Sequence, residues 1–467
     1  MGDPVRDFDP QLAEMRFGYG LSPSVAPPVD ASAMLDGLRG PDEMAARYPI
    51  EPFDTFRLRM VEVAKAADLR RKNRGTETAK EARKTRNLLN RTAREDMFRW
   101  AGHTFLRRVW TPSGFRERLV AFWADHFTAH GKRGVVRRAT QSYIEEAIRP
   151  HVAGTFDDML QAAVLHPLML DYLDQLRSMG PNSIRAQRKG PAKAAGLNEN
   201  LAREVLELHT LGVNGPYSQE DVTQLAELFT GLAFQPQNGF KFRKDFVEPG
   251  AETVLGKTYA DATNIQPIRE VLSDLAAHPA TARHIAWKLA VHFIADDPPA
   301  DLIDGIEAAY LDTGGDLSAL YAALLDHPAA WAPDLQNVKP PVDFMSSALR
   351  ALALPDDAVT VLNEKDMRRV FAEPLVQMGQ EWERPTGPDG WPEEDPAWIT
   401  PQGLAARVAW AMRAPEYLLG TLPDPRVFVD HALGGQATEP VRFAAAAAES
   451  KSEAIGLVLM SPAFQRR

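Results

Sequence analysis

Apolar residues recur at helical spacing along most of the chain, in stretches of about 10 to 20 residues separated by short Pro or Gly breaks, and period-two alternation is scarce. The pattern predicts an all-α, mainly helical protein with one large multi-helix body over residues 1–467. One small β-hairpin is predicted at residues 232–242, where two short alternating runs flank Gln237-Asn238-Gly239, because Asn-Gly tolerates the positive φ of a tight turn. Residues 57–100 are rich in Ala, Lys, Arg and Glu and break near Asn73-Arg74-Gly75, which predicts a projecting hairpin of two charged helices. Residues 114–131 and 135–150 read as core helices. His166-Pro167, His278-Pro279, His327-Pro328 and Ser461-Pro462 each follow an apolar run. Proline at a first helical position has no amide hydrogen to leave unpaired, so these are read as helix junctions and not as histidine sites.

Two irregular regions interrupt the helices. Residues 177–197 contain Arg185, Arg188, Lys189 and Lys193 and no acidic residue, and predict a mobile basic loop. It leads straight into the next polar segment, so it is either a lid offering positive charge to an anion, with Arg188 a candidate ligand contact, or a plain surface loop. Residues 382–401 are dense in Pro and Gly and carry Trp382, Trp391 and Trp398. Three indoles in one loop usually pack it down on itself; the alternative is that they face a ligand such as a sugar, with Trp391 the candidate contact.

The segment from Asn198 to Val213 concentrates ionisable and amide side chains. At about 100° per residue, Glu199, Asn200, Arg203, Glu204 and Glu207 fall within roughly 140° of one face, with Leu201, Val205 and Leu208 opposite. If another part of the chain covers that face, it becomes a pocket. Glu199, Arg203, Glu204 and Glu207 are then the candidate catalytic groups, burial raising one carboxyl while Arg203 holds another ionised. Asn198, Asn200 and His126 are the candidate binding groups. The alternative is architectural: Arg203 pairs with Glu199 and Glu207 at i,i+4 spacing, and Asn198 caps the helix.

His126 and His130 are also four apart, a spacing that lets two imidazoles share a divalent cation, with Glu204 and Glu207 as further candidate ligands. Phe127 stands where a zincin needs Glu, and Glu207-Leu208-His209 is one residue short of Glu-x-x-His, so neither metal pattern is complete. Ion, cofactor and substrate stay open at this point. No nucleophile elbow, Walker loop or dinucleotide fingerprint occurs.

Composition narrows the picture further. A formal charge of −10 argues against nucleic acid as a general partner, and the absence of Cys removes disulfides, thiol nucleophiles and thiolate metal sites. No apolar run is long enough to span a membrane, and Met1 to Pro10 lacks the regions of a signal peptide, so the cytoplasm is the expected compartment.

Several stretches together resemble the bacterial family known as domain of unknown function 1800. They are Arg16-Phe17-Gly18-Tyr19-Gly20-Leu21-Ser22-Pro23, Phe122 to Phe127, Asn198 to Val213, Asp221 to Gly231, His278 to Ala282, Asp297-Pro298-Pro299, Lys339-Pro340-Pro341, Gly390-Trp391-Pro392 and Ser461 to Gln465. The resemblance implies a large helical protein with no established activity. Its relatives often carry export signals and are often encoded beside a phosphatase- or sulfatase-like family. That implies two alternatives to a pocket-bearing cytoplasmic protein: export with a signal-bearing partner, and a non-catalytic partner or scaffold role. Where such relatives commonly place a histidine two positions before His126, this chain has Ala124, which weakens a metal centre imported from the family.

Overall fold

The computed structural model describes residues 8–189, 196–261 and 264–467. It is mainly helical, with two small antiparallel hairpins among these residues. Helix α1 (Phe53–Lys72) and helix α2 (Glu77–Trp110) form an antiparallel pair joined through Gly75 at φ +85°, and the Thr76 hydroxyl caps α2 by accepting the Ala79 N–H at 3.3 Å. The tip of the pair is solvated and laced with i,i+3 and i,i+4 ion pairs such as Lys65–Glu62 and Lys84–Glu81, which stabilise little at such exposure. Its base is buried: Phe53, Phe56 and Trp100 enter one apolar core with the elements up to Trp331, while Phe105, Leu106 and Val109 enter a second core with residues 344–464. Helix α2 is thus the wall shared by both cores.

Helix α3 (Gly114–His126) is shorter than the periodicity of residues 114–131 predicts. The backbone leaves helical geometry at Phe127, and the Thr128 hydroxyl bonds back to the Asp125 carbonyl at 2.8 Å. Residues 135–150 are likewise not one helix but a 3-10 turn (Gly134–Arg138), an α-turn (Thr140–Tyr143), a π-turn (Ile144–Ile148) and a second 3-10 turn (Arg149–His151). The basic stretch 177–197 holds a short helix, Ile184–Lys189, whose Ala186 packs on Met179 and Phe246, and on which Arg188 is exposed. Lys193, with the rest of residues 190–195, lies outside the described residues, as do residues 1–7 on which the reading of compartment rests.

Helix α4 (Asn200–Glu204) runs into a π-turn (Val205–His209), and α5 (Gln219–Leu228) begins with a reciprocal Ser218/Asp221 capping box. Strands β1 (Leu232–Gln235) and β2 (Gly239–Phe242) form the hairpin at 232–242, in register Leu232↔Phe242 to Gln235↔Gly239 and with Gly239 at φ +73°. A second hairpin, β3 (Glu252–Val254) with β4 (Lys257–Tyr259), has strands too short for alternation to reveal. Helices α6 (Pro279–Phe293) and α7 (Pro341–Ala351) complete the surroundings of the site. At His166, His278 and His327 the imidazole Nδ1 itself accepts the N–H two residues on, at 3.1–3.2 Å, and Ser461 does the equivalent with its hydroxyl. These histidines are helix caps.

Buried arginines tie the loops to the helices. Arg350 on α7 donates to the carbonyls of Gly20, Arg108, Val109 and Thr111 and to the Glu14 carboxylate at 2.8–3.1 Å. Arg118 holds the Gly18 carbonyl and Asp343, and Arg16 the carbonyls of Ala330 and Ala332. Each guanidinium satisfies carbonyls that an irregular segment cannot pair by itself.

Candidate functional site

The polar face of α4 is largely spent on itself. Arg203 bridges Glu199 at 3.2 Å and Glu207 at 3.3 Å, and its side chain is 36 % exposed. Hydrogen bonds from Thr223, then Gln219 and Arg203, hold the Glu199 carboxyl below the usual range. The Asn198 carbonyl accepts the Asn200 N–H at 3.0 Å, its amide donates to the Leu173 carbonyl, and Asn200 is exposed. Glu204 differs: burial, reinforced by Glu207 and by Asp389 of the tryptophan loop, lifts its carboxyl to about 7.

Behind α4 lies a cluster of imidazoles. His126 at the end of α3 donates from Nε2 to the His209 carbonyl at 3.2 Å, and His284 on α6 donates to the Leu208 carbonyl at 3.2 Å. The His126 ring lies 6.2 Å from each of the other two. The π-turn carries His209 fully inside, where neither ring nitrogen has a partner. Burial, with Lys288 adding repulsion, pushes His209 down to about 3 and His284 to about 4, so both are neutral at physiological pH. Among the described residues no three His, Asp or Glu are arranged to hold a metal ion. His130 does not share a helix face with His126, because α3 has already ended, and it packs instead on Tyr172 at 4.5 Å. Since the His209 imidazole makes no hydrogen bond among the described residues, His209→Phe is expected to change stability by less than about 1 kcal/mol. A loss above about 3 kcal/mol in chemical denaturation would mean that the imidazole holds a partner.

Asp125 also lines a partly open cavity of about 160 Å³, walled by α2, α3, residues 140–149 and the tryptophan loop. Its lining is unusually charged. Arg107 pairs with Glu145 at 2.5 Å, Arg149 with Glu117 at 2.5 Å, and Arg118 with Asp343. His292 donates from Nδ1 to Glu393 at 2.9 Å and accepts from Arg467 at Nε2 at 3.1 Å, which assigns a neutral imidazole beside an ionised carboxylate. Burial would raise Asp343 and Glu393, but Arg118 and Arg467 outweigh it for Asp343, and the His292 N–H hydrogen bond with the charges of Arg467 and Lys288 outweighs it for Glu393, leaving both at about 2. Two other lining carboxyls go the opposite way. Burial lifts Asp125 to about 7 against the pull of Lys288, and lifts Glu383 to about 8 against that of Arg108. Glu383 also holds a left-handed backbone, φ +51°, which a non-glycine residue rarely keeps without a tertiary reason.

The tryptophan loop is anchored directly above. The Trp391 N–H donates to both Asp125 oxygens, at 3.0 and 3.1 Å. Gly390 makes this approach feasible: it sits at φ +83°, and a Cβ there would lie 2.6 Å from Asp125 Oδ2. Trp391 packs at a tilt of 56° against Trp398 at 6.2 Å, and Trp398 donates to the Pro392 carbonyl, so the loop is packed by its own side chains. Of the candidates read from sequence, Trp391 lines the cavity; Asn198, Glu199, Asn200, Arg203, Glu204, Glu207, His126, His130 and Arg188 do not. Sequence reasoning missed Arg108, Asp125, Glu383 and the His292–Glu393 pair. Only Asp125 carried a signal, as part of the stretch Phe122 to Phe127.

No helix among the described residues is long and apolar enough to cross a membrane. Neither a curated protein nor a solved structure matches the chain. One family model does, over residues 14–466, and the chain belongs to the family it describes, protein of unknown function DUF1800.

Proposed function

We propose that this is an enzyme-like, ligand-binding protein whose chemistry resides in the cavity under the tryptophan loop, with Glu383 and Asp125 as its proton-carrying groups. The observation that carries this reading is the presence of two carboxyls, raised to about 8 and about 7, in the lining of one cavity beside carboxylates held at about 2. Groups whose environments drive their acidities apart divide naturally into proton donors and charge stabilisers. The left-handed backbone at Glu383 supports it, since such strain persists where surrounding structure over-determines it. In this reading Glu204, Glu207 and Arg203 act on the loop through Asp389 and not on a ligand.

The test is a small-molecule screen by thermal shift and turnover, run on the wild type, Glu383→Gln and Ala124→Leu, the last projecting into the cavity. A response in the wild type should vanish in Ala124→Leu, and turnover should vanish in Glu383→Gln. A response that both variants retain in full would place the function elsewhere.

A further inference from the structure

What the cavity takes follows from its unmatched groups, given that it is the functional site. Every arginine lining it has a carboxylate partner except one: Arg107 pairs with Glu145, Arg118 with Asp343, Arg149 with Glu117, and Arg467 with Asp343. Arg108 has no ion pair among the described residues although its side chain is buried, at 8 % exposure. One η nitrogen donates to the Ser346 hydroxyl at 3.2 Å, the guanidinium lies over Tyr19 at 4.7 Å, and Nε has no partner. Glu383 and Asp343 feel its charge through space but neither is ion-paired with it, and a buried guanidinium without a bonded carboxylate is disfavoured, so it is set for an anion that is not part of the chain.

Two more residues of the lining carry a buried polar atom without a partner, the Trp382 indole N–H and the Gln141 amide oxygen, the latter on a residue 3 % exposed whose amide nitrogen is already committed to Thr104. The first can only donate and the second can only accept. A cavity of about 160 Å³ is well below the ~300 Å³ at which sites for drug-sized ligands begin, so the occupant is small. The charge on the wall limits it further. With the two raised carboxyls, Asp125 and Glu383, protonated, Glu117, Glu145, Asp343 and Glu393 face five arginines, so a single negative charge balances the lining, while a dianion would set a second charge against those carboxylates.

We infer that the cavity binds a small hydroxycarboxylic acid as its monoanion, the carboxylate accepting from Arg108 Nε and Trp382 Nε1 and a hydroxyl donating to Gln141 Oε1. Arg108 is then the anion anchor and Gln141 the group that selects a hydroxyl.

Isothermal titration of the full chain with glycolate, gluconate and glucuronate, beside glucose and inorganic phosphate, tests the assignment. At least one of the three acids is expected to bind more tightly than glucose or phosphate. Arg108→Gln should weaken it on the order of 30-fold, the scale of a hydrogen-bonded charge, with circular dichroism showing that the variant is folded. Should Arg108→Gln fail to fold, Arg108→Lys and Gln141→Leu carry the test, each expected to weaken the acid. The inference is overturned if none of the three acids binds, or if their affinity is unchanged in these folded variants. Tighter binding of phosphate or glucose that Ala124→Leu abolishes would overturn the ligand class while leaving the cavity as the site. Acid binding that survives Ala124→Leu would overturn both.

Discussion

Replacing Arg350 with Met is expected to lower the stability of the protein by about 3–5 kcal/mol, the cost of breaking a buried pair by removing one partner. Arg350 is completely buried and is the ion-pair partner of Glu14, itself 3 % exposed. Burial already raises the Glu14 carboxyl, and the Arg350 charge is what opposes it. The same guanidinium satisfies the carbonyls of Gly20, Arg108, Val109 and Thr111, so its loss strands acceptors on two segments at once. Arg108 sits within the second of these, which couples the cavity to this clamp. Guanidinium denaturation at pH 7 measures the loss, and Glu14→Gln added to Arg350→Met should recover part of it by removing the stranded charge. A loss below about 1 kcal/mol would mean that water reaches these groups and that the hub is not buried in solution.

How much of this was legible beforehand depends on whether a feature is local. Helical periodicity, the Asn-Gly turn and the His-Pro junctions are written in adjacent residues, and they correspond to the helices, to the hairpin at 232–242 and to the imidazole caps. The end of α3 at His126 was not legible, because residues 127–131 keep an apolar rhythm while the Thr128 hydroxyl turns the backbone. The π-turns at 144–148 and 205–209 likewise leave no mark in periodicity, yet they set where Glu145 and His209 point. The polar face of α4 was visible; that Asp389, far along the chain, would add to the rise of Glu204 was not. Arg108 looks like any other arginine in a basic helix until its lack of a carboxylate is seen in three dimensions. Nothing in the sequence marks Glu383 for a left-handed backbone. Two of the stretches that carry the family resemblance, Phe122 to Phe127 and Gly390-Trp391-Pro392, do meet in space, at the hydrogen bonds between Trp391 and Asp125.

Glu383→Gln is expected to stabilise the protein at alkaline pH and to leave it unchanged in acid. Burial places the Glu383 carboxyl at about 8 in the folded chain, against an ordinary value of 4.5. Below pH 4.5 the group is neutral whether folded or unfolded, and an amide of the same shape gains nothing. Between 4.5 and about 8 the unfolded chain ionises and the folded chain does not, so the wild type loses stability as pH rises through this window; above 8 the loss is constant. At roughly 1.4 kcal/mol per pH unit, the ceiling on the advantage of the variant is about 5 kcal/mol. Thermal and urea unfolding at pH 5 and pH 9 separate this from its opposite. If Glu383 were the true counter-ion of Arg108, the variant would instead lose stability at pH 9, the guanidinium would already be neutralised, and the anion site would disappear with it. The sign of one stability difference at pH 9 therefore decides both whether Glu383 can carry a proton near neutrality and whether Arg108 is free to hold a ligand.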